Sequence, residues 1–580
     1  MKYCFGIHSD DAVYVAPDHL YDTEMDDAEM NDSEMNNSEM NDLEMNDPDA
    51  HSGMQAALQY GFLTEKNRNC NKRLQIPELN SGYDTVYWYR GKELTCLKQD
   101  QNGCYVSGEM SGIPMTFISD VPEEGNYQVT VTLYAQNKTD PAFIFLGRRR
   151  LAFIGRLEEN SKVSYTFITN VCPVIPRGYT EEMVDLTIDL TVLGDGLHLQ
   201  SVEIEPVDCQ TIYIAGDSTV TDQSADYPYD PSHSYCGWGQ MLSAYTGLSG
   251  AVSNHSHSGL TTESFRSEGH YKILMERIRK GDICLIQFGH NDQKLSHLTA
   301  EGGYRTNLIQ YIEELRDKGA KPVLVTPLAR NTWKGNDGTY NDLLKDYAAT
   351  CITLGREYEV PVIDLHSKSM ELVKRLGREK VKAYYYPSDY THSNDYGAYL
   401  FAGYVYEVLA QLYVYGDVDH SDIGSRSVYQ WQPPENMPSI EPPEDLRLIE
   451  DPNAEKLFKH LERPEEWLTR VEALELVITA MHFFPTNVYN DAFDDIIGHE
   501  TYAGTVECAY QNGLIPDQMI SNHRFLPEQD ITGDEFLAIA ENGYQSRKGK
   551  DLSTFSVDGI RGQKRIARGK AADFLRILKI

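Results

Sequence analysis

Residues 211–220 read Thr-Ile-Tyr-Ile-Ala-Gly-Asp-Ser-Thr-Val, and this stretch constrains the fold more than any other. Thr211 to Ala215 is an apolar, β-branched run of the kind that fills a buried strand. It stops at Gly216-Asp217-Ser218, where glycine allows a sharp turn that other residues resist. A serine at that turn sits at the tip of a strand, and a helix can start just behind it. Such a site exposes the hydroxyl and aims free backbone N–H groups at an incoming oxyanion. The plainer alternative is an Asp-Ser helix cap. Downstream, strand-like runs at Ile283–Phe288, Pro322–Thr326 and Pro361–Asp364 alternate with amphipathic segments at Leu308–Lys318, Asn341–Tyr358 and Tyr396–Tyr413. That alternation predicts a three-layer α/β fold with a parallel sheet.

At 580 residues the chain has room for three or four domains. Before the α/β region, Phe117–Val121, Tyr127–Leu133, Phe143–Phe145, Val163–Ile168, Val184–Val192 and Leu197–Ile204 are short strand-like runs separated by turns. They predict a β-sandwich over 1–208. Tyr3-Cys4-Phe5 and Tyr60-Gly61-Phe62 read as one segment split by an insert at about 24–57. Within it a Glu-Met pair recurs every five residues from Glu24-Met25 to Glu44-Met45. Five helical residues turn by about 140°, so the methionines form no face, and the repeat reads as solvated and disordered. The α/β region spans 209–417. A Pro-, Ser- and acid-rich linker follows at 418–454, and a helical region occupies 455–580.

Composition excludes several functions. The formal charge of −36 argues against nucleic-acid binding. No apolar run is long enough to span a membrane. The ten cysteines show no CxxC spacing, which argues against a zinc site or a disulfide framework. The N-terminal Met-Lys-Tyr-Cys-Phe-Gly lacks the apolar core of a signal peptide, so a cytoplasmic protein is expected, or a secreted or wall-bound one if a leader has been removed.

Acyl transfer by serine needs a nucleophile, a base, a group to orient the base, and oxyanion donors. Ser218 is the candidate nucleophile. Gly259, in Asn254-His-Ser-His-Ser-Gly259, can bring its N–H close to a substrate. The strand Ile283–Phe288 would carry Asn291, a side-chain amide donor, to the sheet edge that holds Ser218. Asp389 and His392 lie three apart, so one loop could present both. His255, His257 and His366 are not candidates, because no third metal ligand can be placed beside the first two.

These blocks, in this order, resemble the SGNH (GDSL) hydrolase superfamily. Gly-Asp-Ser-Thr-Val, Gly-Trp238-Gly-Gln240, Phe-Gly-His-Asn-Asp, Tyr304-Arg305-x-Asn307, Val-Thr326-Pro327-x-x-Arg330 and Asp-x-x-His are similar to the rhamnogalacturonan acetylesterase branch. The resemblance implies a flavodoxin-like catalytic domain and a triad of Ser218, Asp389 and His392. It implies an oxyanion hole of Ser218, Gly259 and Asn291, with no metal or cofactor. It implies an acetylated pectic oligosaccharide as substrate. Leu260 stands where that branch has arginine after the glycine, which removes a cation suited to an acidic sugar. An arylesterase or lysophospholipase of the same superfamily is the alternative. The β region resembles galactose-binding-like domains. Leu468-Thr469-Arg470, Ile531-Thr532-Gly533 and Ile566-Ala567-Arg568 resemble the starts of degenerate S-layer homology repeats. That resemblance implies binding to cell-wall polysaccharide, or packing on the chain itself or a second copy.

Overall fold

The computed structural model describes residues 1–6, 9, 11–19, 58–63, 88–89, 97–107, 112–175, 182, 186–226, 228–334, 339–387, 389–412, 429–434, 463–481, 483, 493–496, 500 and 502–578. The Glu-Met repeat and most of the expected linker lie outside these residues.

Five parallel strands form the central sheet: β1 (Thr211–Gly216), β2 (Ala251–Asn254), β3 (Ile283–Gln287), β4 (Lys321–Val325) and β5 (Val362–Ile363). Their spatial order is β2-β1-β3-β4-β5, the flavodoxin-like order. Successive side chains of a strand face opposite ways, so each strand feeds two cores. Ile212, Ile214, Leu285 and Val323 join Trp238, Leu372, Phe401 and Val405 on one face. There the covering helices are α4 (Leu365–Lys380) and α5 (Asp395–Leu412). Tyr213, Ala215, Ile286 and Leu324 face Leu274, Tyr311, Ile312 and Leu354 on the other. Those residues belong to α1 (His270–Arg277), α2 (Arg305–Asp317) and α3 (Lys345–Glu357). The winding reverses after β2, which opens a crevice above the carboxyl ends of β1 and β3 where such sheets bind ligands.

The sequence pattern misses β2, α1 and α4. β2 has four residues, half of them polar, and α1 has only eight, too few for either period to register.

Two mostly antiparallel sheets precede this unit. One contains Tyr60–Leu63, Met115–Asp120, Thr139–Leu146, Arg150–Leu157 and Thr187–Leu193. The other is built on Gly125–Ala135, Ser161–Val171 and Leu197–Pro206, with Lys2–Cys4 at its side. The two arms expected to form one split segment therefore enter different sheets. Phe5, Phe117, Val131 and Leu190 fill the space between the sheets. Alternate residues Phe143, Phe145 and Leu151 point the other way and enter the same core as Trp238 and Phe401. The β region is thus packed into the α/β unit rather than tethered to it.

At the other end, α6 (Arg470–Ala480), α7 (Ala503–Gln511), α8 (Gly533–Lys548) and α9 (Arg568–Leu578) enclose a core containing Leu474, Val506, Phe536 and Phe574. Thr469 with Glu472 and Thr532 with Glu535 form capping boxes that start α6 and α8. Among the described residues no helix is long and apolar enough to cross a membrane.

Candidate active site

β1 delivers Ser218 to the crevice, and Asp217 closes the turn behind it with hydrogen bonds. The Asp217 carbonyl accepts from Val220 N (3.1 Å) and Thr221 N (3.2 Å). The Asp217 carboxylate accepts from Thr219 N (2.9 Å) and Thr219 Oγ1 (2.8 Å). Burial works against ionisation of Asp217, but His290 and the Thr219 donors outweigh it and hold the carboxyl below its ordinary range. Gly216 is required by close approach, since a Cβ there would lie 2.9 Å from Gln287 O and 3.0 Å from Ser256 Oγ. No helix begins directly behind Ser218; a short 3-10 turn follows at Pro231–His233, and the next α-helix starts at Trp238. The backbone of Gly237 fills that space instead, so close that an added Cβ would sit 2.2 Å from the Val220 carbonyl carbon.

The base arrives from the far edge of the sheet, after β5 and α4. Ser218 Oγ lies 2.7 Å from His392 Nε2, and His392 Nδ1 lies 2.7 Å from Asp389 Oδ2. The second Asp389 oxygen accepts from Thr391 N (2.7 Å) and His392 N (2.9 Å). Burial pushes this carboxyl up, but the attraction of His392 and these donors pull it further down, below the usual carboxylate range. An ionised Asp389 leaves Nε2 without a proton and ready to accept one from Ser218.

Two backbone donors stand on the loops that follow β1 and β2. Among the described residues, neither Ser218 N–H nor Gly259 N–H donates a hydrogen bond. Gly259 is exposed, has φ of +84°, and has open space where a Cβ would stand. Asn291 follows β3. Its Nδ2 donates to Leu260 O (3.0 Å), and its Oδ1 accepts from Lys294 Nζ (3.0 Å). The amide orientation is therefore fixed, with N–H toward the Gly259 loop. Asp292 fastens the two loops together, accepting from Thr262 N (2.9 Å), Thr262 Oγ1 (2.6 Å) and Gly289 N (3.1 Å). Of the five residues singled out from sequence, Ser218, Gly259 and Asn291 thus stand on loops after β1, β2 and β3, and Asp389 and His392 reach them from the segment between α4 and α5.

The model for the GDSL-like lipase/acylhydrolase family matches residues 214–400. The rhamnogalacturonan acetylesterase RhgT of Bacillus subtilis is 34% identical over 216 residues, covering 35% of this chain and 90% of RhgT. The chain belongs to the GDSL-like lipase/acylhydrolase family. The uncharacterized esterase YxiM of Bacillus subtilis is 30% identical over 203 residues, 35% of this chain and 52% of YxiM. A rhamnogalacturonan acetylesterase of Emericella nidulans is 25% identical over 212 residues, 33% of this chain and 80% of its own.

Within this GDSL-like acylhydrolase, a carboxylic ester hydrolase, several supporting residues carry no sequence signal of their role. Buried Gln287 donates to Thr219 Oγ1 (2.7 Å) and accepts from Trp238 Nε1 (2.8 Å), pinning the Ser218 turn to β3. Arg330, buried under the site, donates to Thr391 Oγ1 (3.0 Å) and His290 O (3.0 Å), joining the base loop to the Asn291 loop. The family resemblance contains Arg330, but nothing in the spacing says what it holds. Leu260 is buried in the apolar core, so only its carbonyl serves the site. Three histidines stay outside it. His255 is buried beside Ser253 Oγ, and His366 is buried between Pro327 O and Asp342. His257 lies against the His270 ring. Among the described residues no three His, Cys, Asp or Glu side chains gather as metal ligands.

Proposed function

We propose that this protein is a serine O-acetylesterase acting on acetylated pectic oligosaccharides of the rhamnogalacturonan type, with Ser218, Asp389 and His392 as its triad. The Ser218–His392–Asp389 chain of short hydrogen bonds carries the mechanism. RhgT, a rhamnogalacturonan acetylesterase by name, supports the substrate class. In the first step His392 takes the hydroxyl proton as Ser218 Oγ attacks the acetyl carbonyl. The oxyanion forms against Ser218 N–H, Gly259 N–H and the Asn291 amide. His392 then returns the proton to the sugar oxygen, the C–O bond breaks, and acetyl-Ser218 remains. Water attacks that ester with His392 again as base and releases acetate.

The β region is proposed to be galactose-binding-like, which its paired sheets support. The C-terminal helices are proposed to derive from S-layer homology repeats, which the capped starts at Thr469 and Thr532 support. They would serve for wall attachment or self-association. We propose a cytoplasmic setting, in which the eight described cysteines would remain free thiols.

Acetate release from acetylated rhamnogalacturonan, xylan and chitin oligosaccharides tests the substrate, with an acyl-chain series in parallel. Preference for the pectic ester and for acetyl is expected. Preference for longer acyl chains would instead make the protein an arylesterase or lysophospholipase.

A further inference from the structure

Tyr235 and Tyr386 form a two-ring slab beside the base. Their rings are stacked at 3.5 Å between centroids and 12° between planes. Tyr235 is 37% exposed, and Tyr386 is half-buried behind it. The Tyr235 ring stands edge-on to His392, 5.8 Å between centroids at 85°.

Main-chain bonds lock this slab to the base. Tyr386 N donates to His392 O (2.9 Å). Tyr235 forms an isolated β-bridge with Asn394, two residues past His392. The Tyr235 carbonyl accepts from Arg149 Nη2 (2.8 Å), an arginine supplied by the β region. Arg149 in turn pairs with Asp395 at 2.6 Å, with both side chains 0% exposed. A flat, partly exposed surface is thus held beside the His392 ring.

The chemistry of ester cleavage says what lies there. The carbonyl oxygen must turn toward Asn291 and the two backbone donors. The leaving alcohol must reach His392, because Nε2 gives it the proton as the C–O bond breaks. The leaving oxygen therefore comes within about 3 Å of Nε2. In a sugar ester that oxygen belongs to the ring system, so the ring rests against whatever flanks His392. We infer that the exposed face of Tyr235, backed by Tyr386, is the platform on which the leaving sugar ring lies during deacetylation. An aromatic face suits the apolar C–H face of a pyranose, and two χ angles make it cheap to order. The inference rests on the carbohydrate reading of the site and names the residue that selects a cyclic alcohol.

The test compares two acetate esters on the same protein preparations. Acetylated rhamnogalacturonan oligosaccharide has a ring to stack, and ethyl acetate has none. The measured quantity is the ratio of their kcat/KM values. Tyr235→Ala is expected to lower that ratio roughly 10- to 100-fold, mainly through KM on the sugar. Tyr235→Phe is expected to keep it near wild type, and Tyr235→Leu, with bulk but no flat face, to fall with alanine. Equal losses on both esters would make Tyr235 a support for His392 and overturn the platform. An unchanged ratio in alanine and leucine would overturn it too. Wild-type protein that cleaves ethyl acetate but no acetylated sugar would remove the carbohydrate reading, and the platform with it. Sugar cleavage indifferent to Tyr235 would remove the platform alone.

Discussion

Replacing Arg149 by methionine should cost about 3–5 kcal/mol of stability, although Arg149 lies outside the α/β unit. Its guanidinium donates to Gln223 O (2.9 Å), Tyr235 O (2.8 Å), Gln240 Oε1 (3.4 Å) and both Asp395 oxygens (2.6 and 3.2 Å). Methionine keeps the apolar stem and removes all of these bonds. The Tyr235 carbonyl is then left without its arginine donor, an orphaning worth about 1–3 kcal/mol. Asp395 becomes a buried acid without its cation. Burial already raises its pKa despite the pull of Arg149, so protonation relieves part of the cost. The bond from Tyr229 OH relieves another part. These offsets keep the total near the lower half of the range. The assay is urea unfolding followed by tryptophan fluorescence, to which Trp238, buried in the core shared by the two units, contributes. Arg149→Met with Asp395→Leu should recover most of the loss, because an apolar pair needs no partner. A single variant within about 1 kcal/mol of wild type, or a double variant as unstable as the sum, would refute the reasoning.

Three further outcomes follow from the site. Asn291→Ala removes one oxyanion donor and should lower kcat on the order of 10²- to 10³-fold with a smaller change in KM, measured by acetate release. In Asp389→Asn the oxygen stays with the Thr391 and His392 backbone donors and the amide NH₂ faces Nδ1. That forces the proton onto Nε2, so kcat should fall on the order of 10⁴-fold while the melting temperature changes little. Asp292 is pushed up to about 6 by burial, against the pull of its Thr262 donors. A raised folded-state pKa contributes stability that is full below about 4 and lost as pH rises through 6, roughly 3 kcal/mol in all. Unfolding free energies at pH 4 and pH 7 should show this decline in wild type but not in Asp292→Asn, and equal declines would contradict it.

The site was more legible than the fold around it, for a physical reason. In a parallel sheet, loops after successive strands gather at one edge, so Ser218, Gly259 and Asn291 could be placed together from their order, while Asp389 and His392 could be paired by their spacing of three. The alternation of long elements supplied the layers. Short elements such as β2 carry too few residues for a period. The turn behind Ser218 depends on Gly237 approaching Val220 from a distant segment, which local propensity does not encode. Arg149 and Asp395 are separated by 246 positions, and no spacing rule links two charges that far apart. The Tyr235–Tyr386 stack is hidden in the same way, since each tyrosine alone reads as ordinary packing.

The central claim is that acyl transfer runs through Ser218. Acetate release from acetylated rhamnogalacturonan oligosaccharide by Ser218→Ala tests it most directly, alongside a melting curve on the same sample. The account predicts a kcat lower by at least about 10⁴-fold with the melting transition in place. A folded Ser218→Ala protein that keeps activity within about tenfold of wild type would contradict it.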